Sequence, residues 1–335
     1  MHDIDFVITW VDGNDPAWQA EKARFRPSEK TDSSKIRYRD WDNLQYWFRA
    51  VETYAPWVRK IHFVTWGHRP AWLNTDNPKL AVVNHRDYIP PEYLPTFSSR
   101  AIDMNFHRIG DLAEHFVYFN DDMFLTAPVR PEDFFEKGLP AATAILNASI
   151  LESRYVGDVP YAAPIFDLIP INRHFKKAET LKQYRGKYFS PRYGIQSFRT
   201  LLLTPWKKFP GFMNYHLPYS YLRSTYEEVW EKEGELLDQT CRHRFRTVGD
   251  LNHWVFDYWQ LASGHFSPRR PTIGTMTSFT DDPAHNREIG ELFASGRYKM
   301  MCLNDAVKAE GFEKTRDDFK AVLETVFPEK SSFEK

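Results

Sequence analysis

Asp5-Phe-Val-Ile-Thr-Trp-Val11 runs directly into Asp12-Gly-Asn-Asp-Pro16. A short run rich in β-branched and aromatic residues, stopped by a cluster of turn formers, reads as a buried strand ending at a loop. Open α/β sheets bind their ligands at such strand ends. Downstream, Lys60-Ile-His-Phe-Val-Thr-Trp66, Leu80-Ala-Val-Val83 and Phe116-Val-Tyr-Phe119 repeat the strand pattern. Between the first two, Leu44, Trp47, Phe48 and Val51 fall at helical spacing, and Ala55-Pro56 ends that helix. Strands alternating with helices predict an α/β domain with a mainly parallel sheet.

The rest of the chain is less regular. Residues 17–39 carry Arg24, Arg26, Lys30, Lys35, Arg37 and Arg39 and read as a helix start followed by a mobile loop. Prolines punctuate the stretch from about 140 to 235, which predicts helices and long loops. Leu251–Leu261 reads as a helix, Lys299–Leu303 as a late strand, and the tail from about 308 as a charged amphipathic helix.

Composition narrows the function classes. With 335 residues the chain suits one large domain with insertions, or two halves sharing a cleft. A formal net charge of -1 argues against non-specific nucleic-acid binding, which needs a basic excess. The 11 Trp and 26 Phe can build a large core, and Trp and Tyr also suit stacking on sugars or bases. The 2 cysteines, Cys241 and Cys302, fit a reducing compartment. The N-terminal pattern is not that of a signal peptide, and apolar runs are too short for a membrane span, so a cytoplasmic chain is expected. Walker and dinucleotide glycine motifs, Gly-x-Ser-x-Gly and His-Glu-x-x-His do not occur, which weighs against kinases, dehydrogenases, serine hydrolases and zinc proteases.

Two strands deliver acidic clusters: Tyr118-Phe-Asn-Asp-Asp122 and Cys302-Leu-Asn-Asp305. Carboxylates at strand ends suit Mg²⁺ or Mn²⁺ bridging a diphosphate; Asn-Asp after a strand equally makes a turn or a helix cap. His216, in Asn214-Tyr-His-Leu-Pro-Tyr219, could take a hydroxyl proton near neutral pH, or simply pack. Arg246 could clamp a phosphate, or pair with Asp250 four residues on. Phe97-Ser-Ser-Arg100 precedes a helix carrying Asp103, His107 and Arg108, where hydroxyls and free amides could hold an anion or merely cap.

The motifs reach further than spacing. Asp5–Asp15 closely resembles the first conserved block of the Stealth family, bacterial capsular and exopolysaccharide phosphotransferases related to the catalytic subunit of animal lysosomal-enzyme GlcNAc-1-phosphotransferase. A second block resembles Arg37-Tyr-Arg-Asp40 through Tyr54-Ala-Pro-Trp-Val-Arg59, Ile61-His-Phe-Val-Thr65, Trp72-Leu-Asn74, Phe97-Ser-Ser99 and Asn120-Asp-Asp122. A third resembles Tyr215-His-Leu-Pro218, with Tyr219 where relatives often have a second His, and a fourth Met301-Cys-Leu-Asn-Asp305.

The resemblance implies a Rossmann-like core with helices on both faces and a helical, loop-rich insertion. On that basis residues 1–140 form a nucleotide-sugar-binding half, 141–235 an acceptor-side insertion, and 236–335 the remaining core. It implies a UDP-sugar donor and a glycan acceptor, with sugar-1-phosphate passed to a hydroxyl and UMP released. Catalysis would fall on Asp122, His216 and Arg246, with either His216 or Asp122 as the base. Asp122 and Asp305 would hold Mg²⁺ or Mn²⁺. Trp10, Asp12, Gly13, Ser98, Ser99, Arg108 and Asn120 would contact the donor. A metal-dependent glycosyltransferase releasing UDP is the alternative enzyme, and a non-catalytic glycan-binding protein the alternative class. The enzyme is expected in the bacterial cytoplasm, with peripheral membrane association open.

Overall fold

The computed structural model describes residues 2–25, 38–150 and 159–335. Arg26, Lys30, Lys35 and Arg37, expected on a mobile loop, lie outside the described residues. The main sheet contains β1 (Ile4–Thr9), β2 (Ile61–Thr65), β3 (Leu80–Asn84) and β4 (His115–Phe119). Their order is β3-β2-β1-β4, and every pairing among them is parallel. This is the Rossmann-like arrangement: the chain steps outward from β1 to β3, then crosses back to place β4 on the other side of β1. The crevice where the strand order reverses therefore opens at the carboxyl ends of β1 and β4.

Strand alternation explains the helices on both faces. Phe119 meets Trp47 of the helix Leu44–Tyr54 at 5.4 Å between ring centroids. Phe116 and Tyr118 point the other way, Phe116 against Tyr226 of the helix Arg223–Cys241 at 5.5 Å and Tyr118 against Phe106 at 4.9 Å. Helix Leu44–Tyr54 keeps the boundaries its spacing predicts because its apolar stripe is fully covered.

Three further features complete the strands before β9. A short β5 (Met123–Leu125) follows β4 immediately, β6 (Phe135–Glu136) and β7 (Leu139–Ala142) form a small hairpin, and β8 (Tyr219–Leu222) adds antiparallel to β4. That last strand lies within residues 141–235, so this stretch contributes to the main sheet as well as to the helical region. After β9 (Ser267–Pro268), which pairs with β7, β10 (Gly274–Phe279) runs parallel to β11 (Met300–Asp305), and β11 pairs antiparallel with β5. Cys302 thus stands opposite Met123, beside the acidic loop. The tail helix is Ala309–Val326.

Asp5, the leading acid of the first motif, is a structural latch. It is fully buried, takes Arg59 through Nε at 2.8 Å and Nη2 at 2.6 Å, and accepts Ala113 N–H at 2.8 Å with His62 Nε2 2.9 Å away. Burial alone would raise its pKa, but the bonds from His62, Arg59 and Ala113 outweigh that and hold the carboxyl below its usual range. A carboxyl depressed in the folded state stabilises fully above its unfolded pKa of about 3.9, and that stability drains away as pH falls further. Asp5→Ala should cost about 3 kcal/mol in urea unfolding at neutral pH, by stranding Arg59 and His62. The gap between variant and wild type should narrow below pH ~4. A gap that persists unchanged into acid would mean the carboxylate charge contributes nothing.

Candidate functional site

The loop after β1 is built to stay put. Asp12 Oδ1 accepts Asn14 N–H at 2.8 Å, and Asp15 caps the helix Pro16–Arg24 by accepting from Ala17 and Trp18. Asp12 N–H donates to His68 Nε2 at 2.9 Å, and His68 Nδ1 faces Asp15 at 3.3 Å. Burial holds His68 below its ordinary pKa, against the pull of the Asp15 and Asp12 charges. Gly13 is required by close approach: a Cβ there would run into the Tyr38 carbonyl. Trp10 packs its ring on Phe63 and His68, and its indole bonds Asp40.

Asp40 brings a further acid to this strand end. Burial raises its pKa, and the Asp42 and Asp12 charges add to that. Asp121 stands at the open rim. Enclosure by protein pushes its carboxyl up, and the charges of Asp122 and Asp40 push the same way. Sequence reasoning had Asp40 inside a motif but gave it no role. Its meeting with Asp12 and Asp121 comes from the β1–β4 switch point.

Asp122 is fixed by its backbone, whose carbonyl accepts Leu303 N–H of β11 at 2.8 Å. Its Oδ2 lies 4.0 Å from His216 Nε2, and its Oδ1 is buried without a hydrogen-bond partner. His216 Nδ1 is likewise buried and unpartnered. His216 adopts φ 47°, a left-handed conformation that side-chain-bearing residues rarely hold without a reason. Its ring stands edge-on to Trp254, whose Nε1 donates to Tyr219 Oη at 2.6 Å. Among the described residues, Asp122, His216 and Cys302 each offer one ligand atom within 4.8 Å of the others. Cys302 was missed because its place beside Asp122 comes from the antiparallel register of β11 on β5, which motif spacing does not show.

Arg246 approaches from another loop. Phe97 N–H donates to Arg244 O at 2.8 Å, and the Phe97 and Phe245 rings stack at 5.2 Å, zipping the two segments together. Arg246 Nη2 then donates to Ser99 Oγ at 2.7 Å, and its charge acts on Asp121 and on buried Asp103. Asp250 bonds His243 and Thr247 instead of Arg246. Ser98 Oγ is buried with no partner, and Asn120 closes the turn by accepting Met123 N–H at 3.1 Å.

Two expected site residues point elsewhere. Asp305 is engaged by Arg39 at 3.2 Å, Trp41 Nε1 at 3.2 Å and Val307 N–H at 3.0 Å, and it is not in the Asp122–His216–Cys302 group. Arg108 lies over the Trp230 ring and donates to Asn105.

The unpartnered Asp122 oxygen, amid crowded like charges, is what a hard divalent cation would satisfy, so the residues fit one. With a base-capable imidazole beside it and an arginine close by, the cleft can bind a diphosphate, take a proton and steady an anionic phosphorus.

Stealth protein conserved region 1 matches residues 2–30, and conserved region 2 matches residues 37–142. The capsular polysaccharide phosphotransferase WcwK of Streptococcus pneumoniae is 41% identical over 338 residues, covering 100% of this chain and 99% of that protein. The receptor polysaccharide phosphotransferase WefC of Streptococcus gordonii is 44% identical over 337 residues, covering 99% and 98%. The exopolysaccharide phosphotransferase cps2G of Lactiplantibacillus plantarum is 37% identical over 335 residues, covering 99% and 96%. A galactosyltransferase LgtC structure with donor and acceptor sugar analogs aligns at a TM-score of 0.39 and 12% identity, covering 96% of this chain and 95% of that one, too loose to carry weight. On sequence likeness running the full length of its relatives, the chain belongs to the Stealth family.

Proposed function

We propose that this protein transfers a sugar-1-phosphate from a UDP-sugar to a hydroxyl of a glycan in capsular or exopolysaccharide synthesis, forming a phosphodiester and releasing UMP. One observation carries the proposal: in a full-length relative of polysaccharide phosphotransferases, Asp122 and His216 meet at 4.0 Å over the β1–β4 switch point. The acceptor oxygen attacks the sugar-linked phosphorus as the bond to the UMP oxygen breaks. His216 takes the acceptor proton, with Asp122 as the other candidate base. Arg246, beside Ser99, holds the transferred phosphoryl oxygens, so catalysis is chiefly positioning and charge stabilisation.

Asp122 would hold the divalent cation, Mg²⁺ or Mn²⁺, and Asp305 would join it only by exchanging Arg39 for the ion. When bound, that cation supplies a positive counter-charge to the donor diphosphate. Trp10, Asp12, Gly13, Asn120, Ser98 and Ser99 would form the donor side; Arg108 would need to leave Trp230 to take part. Residues 141–235 carry His216 and would form the acceptor side. Both cysteines are free and buried, which suits the reducing interior of the cell.

Incubation with a panel of UDP-sugars and a glycan acceptor, followed by nucleotide identification, tests the proposal. UMP, phosphorus in the glycan and retained anomeric configuration are expected, and EDTA should abolish the signal. UDP with no phosphorus in the product would mean attack at sugar carbon, that is, glycosyl transfer.

A further inference from the structure

Among the described residues, most of the strongly exposed large apolar side chains gather in one short segment. Ile195 is 91% exposed, Phe198 57%, Leu201 54%, Leu202 58% and Trp206 56%. A contiguous apolar patch of this kind on a protein surface marks an interaction site. The segment is not loosely hung. Tyr193 is buried and its hydroxyl accepts Ala144 N–H at 3.1 Å; Thr200 is buried and its Oγ1 accepts Leu146 N–H at 3.1 Å. Lys177 Nζ donates to the carbonyls of Leu203 and Thr204, each at 2.8 Å. The usual pattern is inverted: polar groups anchor this segment inward, and its leucines, phenylalanine and tryptophan face out. Gly194, at φ 56°, makes the turn that throws Ile195 outward.

Charge identifies the occupant. No Asp or Glu occurs between Glu179 and Glu227, in a chain whose formal net charge is -1. Exposed Arg199, Lys207 and Lys208 flank the apolar residues, with exposed Lys182 and Arg185 upstream. Apolar side chains rimmed by basic ones fit an anionic phospholipid surface, where the former enter the acyl boundary and the latter face headgroups. A two-fold dimer through the same patch would set these like charges against one another. No described helix is long and apolar enough to cross a membrane, so the contact is peripheral.

We infer that the platform formed by residues 193–208 docks this protein onto an anionic membrane surface. The platform is tied to the catalytic loop, since the Tyr215 hydroxyl donates to Gln196. Docking would therefore hold the His216 side of the cleft near the bilayer.

The test is flotation of the full chain with phosphatidylcholine vesicles, with and without phosphatidylglycerol, at low and high salt. Wild type should float with the phosphatidylglycerol vesicles and lose that binding at high salt. Leu201→Ser/Leu202→Ser/Trp206→Ser and, separately, Lys207→Glu/Lys208→Glu should each weaken it at least about tenfold, at unchanged melting temperature. No binding to either vesicle, or binding indifferent to both variants, overturns the inference. So does a dimer in sedimentation that the triple serine variant dissociates without any vesicle binding. Flotation needs no turnover, so its failure is distinct from a failure of the phosphotransferase proposal.

Discussion

Asp122→Asn should lower kcat/KM by roughly a thousandfold or more, with little change in melting temperature. The two halves of that expectation have separate causes. The residue is held by its carbonyl on Leu303 N–H, a bond that any side chain leaves intact. Its Oδ1 has no protein partner to lose, so folding gives up little. The carboxylate charge, in contrast, is what would neutralise a cation and keep His216 paired, and asparagine supplies neither. Crowding from Asp121 and Asp40 sharpens the point: deleting one negative charge from that group should relieve repulsion in the free enzyme. A neutral or slightly raised melting temperature with collapsed turnover is the signature of a residue kept for chemistry at a cost in stability. Steady-state kinetics with calorimetric melting reads both quantities. Near-normal turnover would remove Asp122 from the mechanism.

His216→Asn should cost about 10²–10⁴-fold in kcat, with a smaller change in KM for the donor. Asparagine is the informative substitution because it tolerates the left-handed backbone at φ 47° better than alanine does, so lost activity cannot be charged to loop distortion. If Asp122 and His216 act as one unit across their 4.0 Å gap, the double variant should be hardly worse than the poorer single one. Full additivity would mean that the two residues serve separate steps. Wild-type kcat in His216→Asn would pass the base role to Asp122.

Much of the architecture was legible because burial leaves a local imprint. The β-branched and aromatic runs Asp5–Val11 and Phe116–Phe119 follow from strands buried on both faces, the helical spacing of Leu44, Trp47, Phe48 and Val51 follows from one helix face meeting the core, and each element formed within a residue or two of its expected place. The short strands β5 and β8 left no such imprint, since neither is long enough to show a period and both exist by pairing with distant partners. The motifs brought Asp122, His216, Arg246 and Asp305 forward as residue types, without their partners. Asp5 shows the limit of a motif: it leads the first block, yet its oxygens are spent on Arg59, His62 and Ala113.

By itself, then, the sequence determined a parallel α/β sheet, the acidic loops at its strand ends and the family, because apolar periodicity and contiguous motifs are properties of neighbouring residues. Tertiary structure alone decided that Cys302 stands beside Asp122, that Arg39 occupies Asp305, that Arg108 turns to Trp230, and that the apolar side chains of 195–206 face outward. Those outcomes are set by strand register and by competition among distant side chains for the same partner, and neither is encoded in the spacing of residues along the chain.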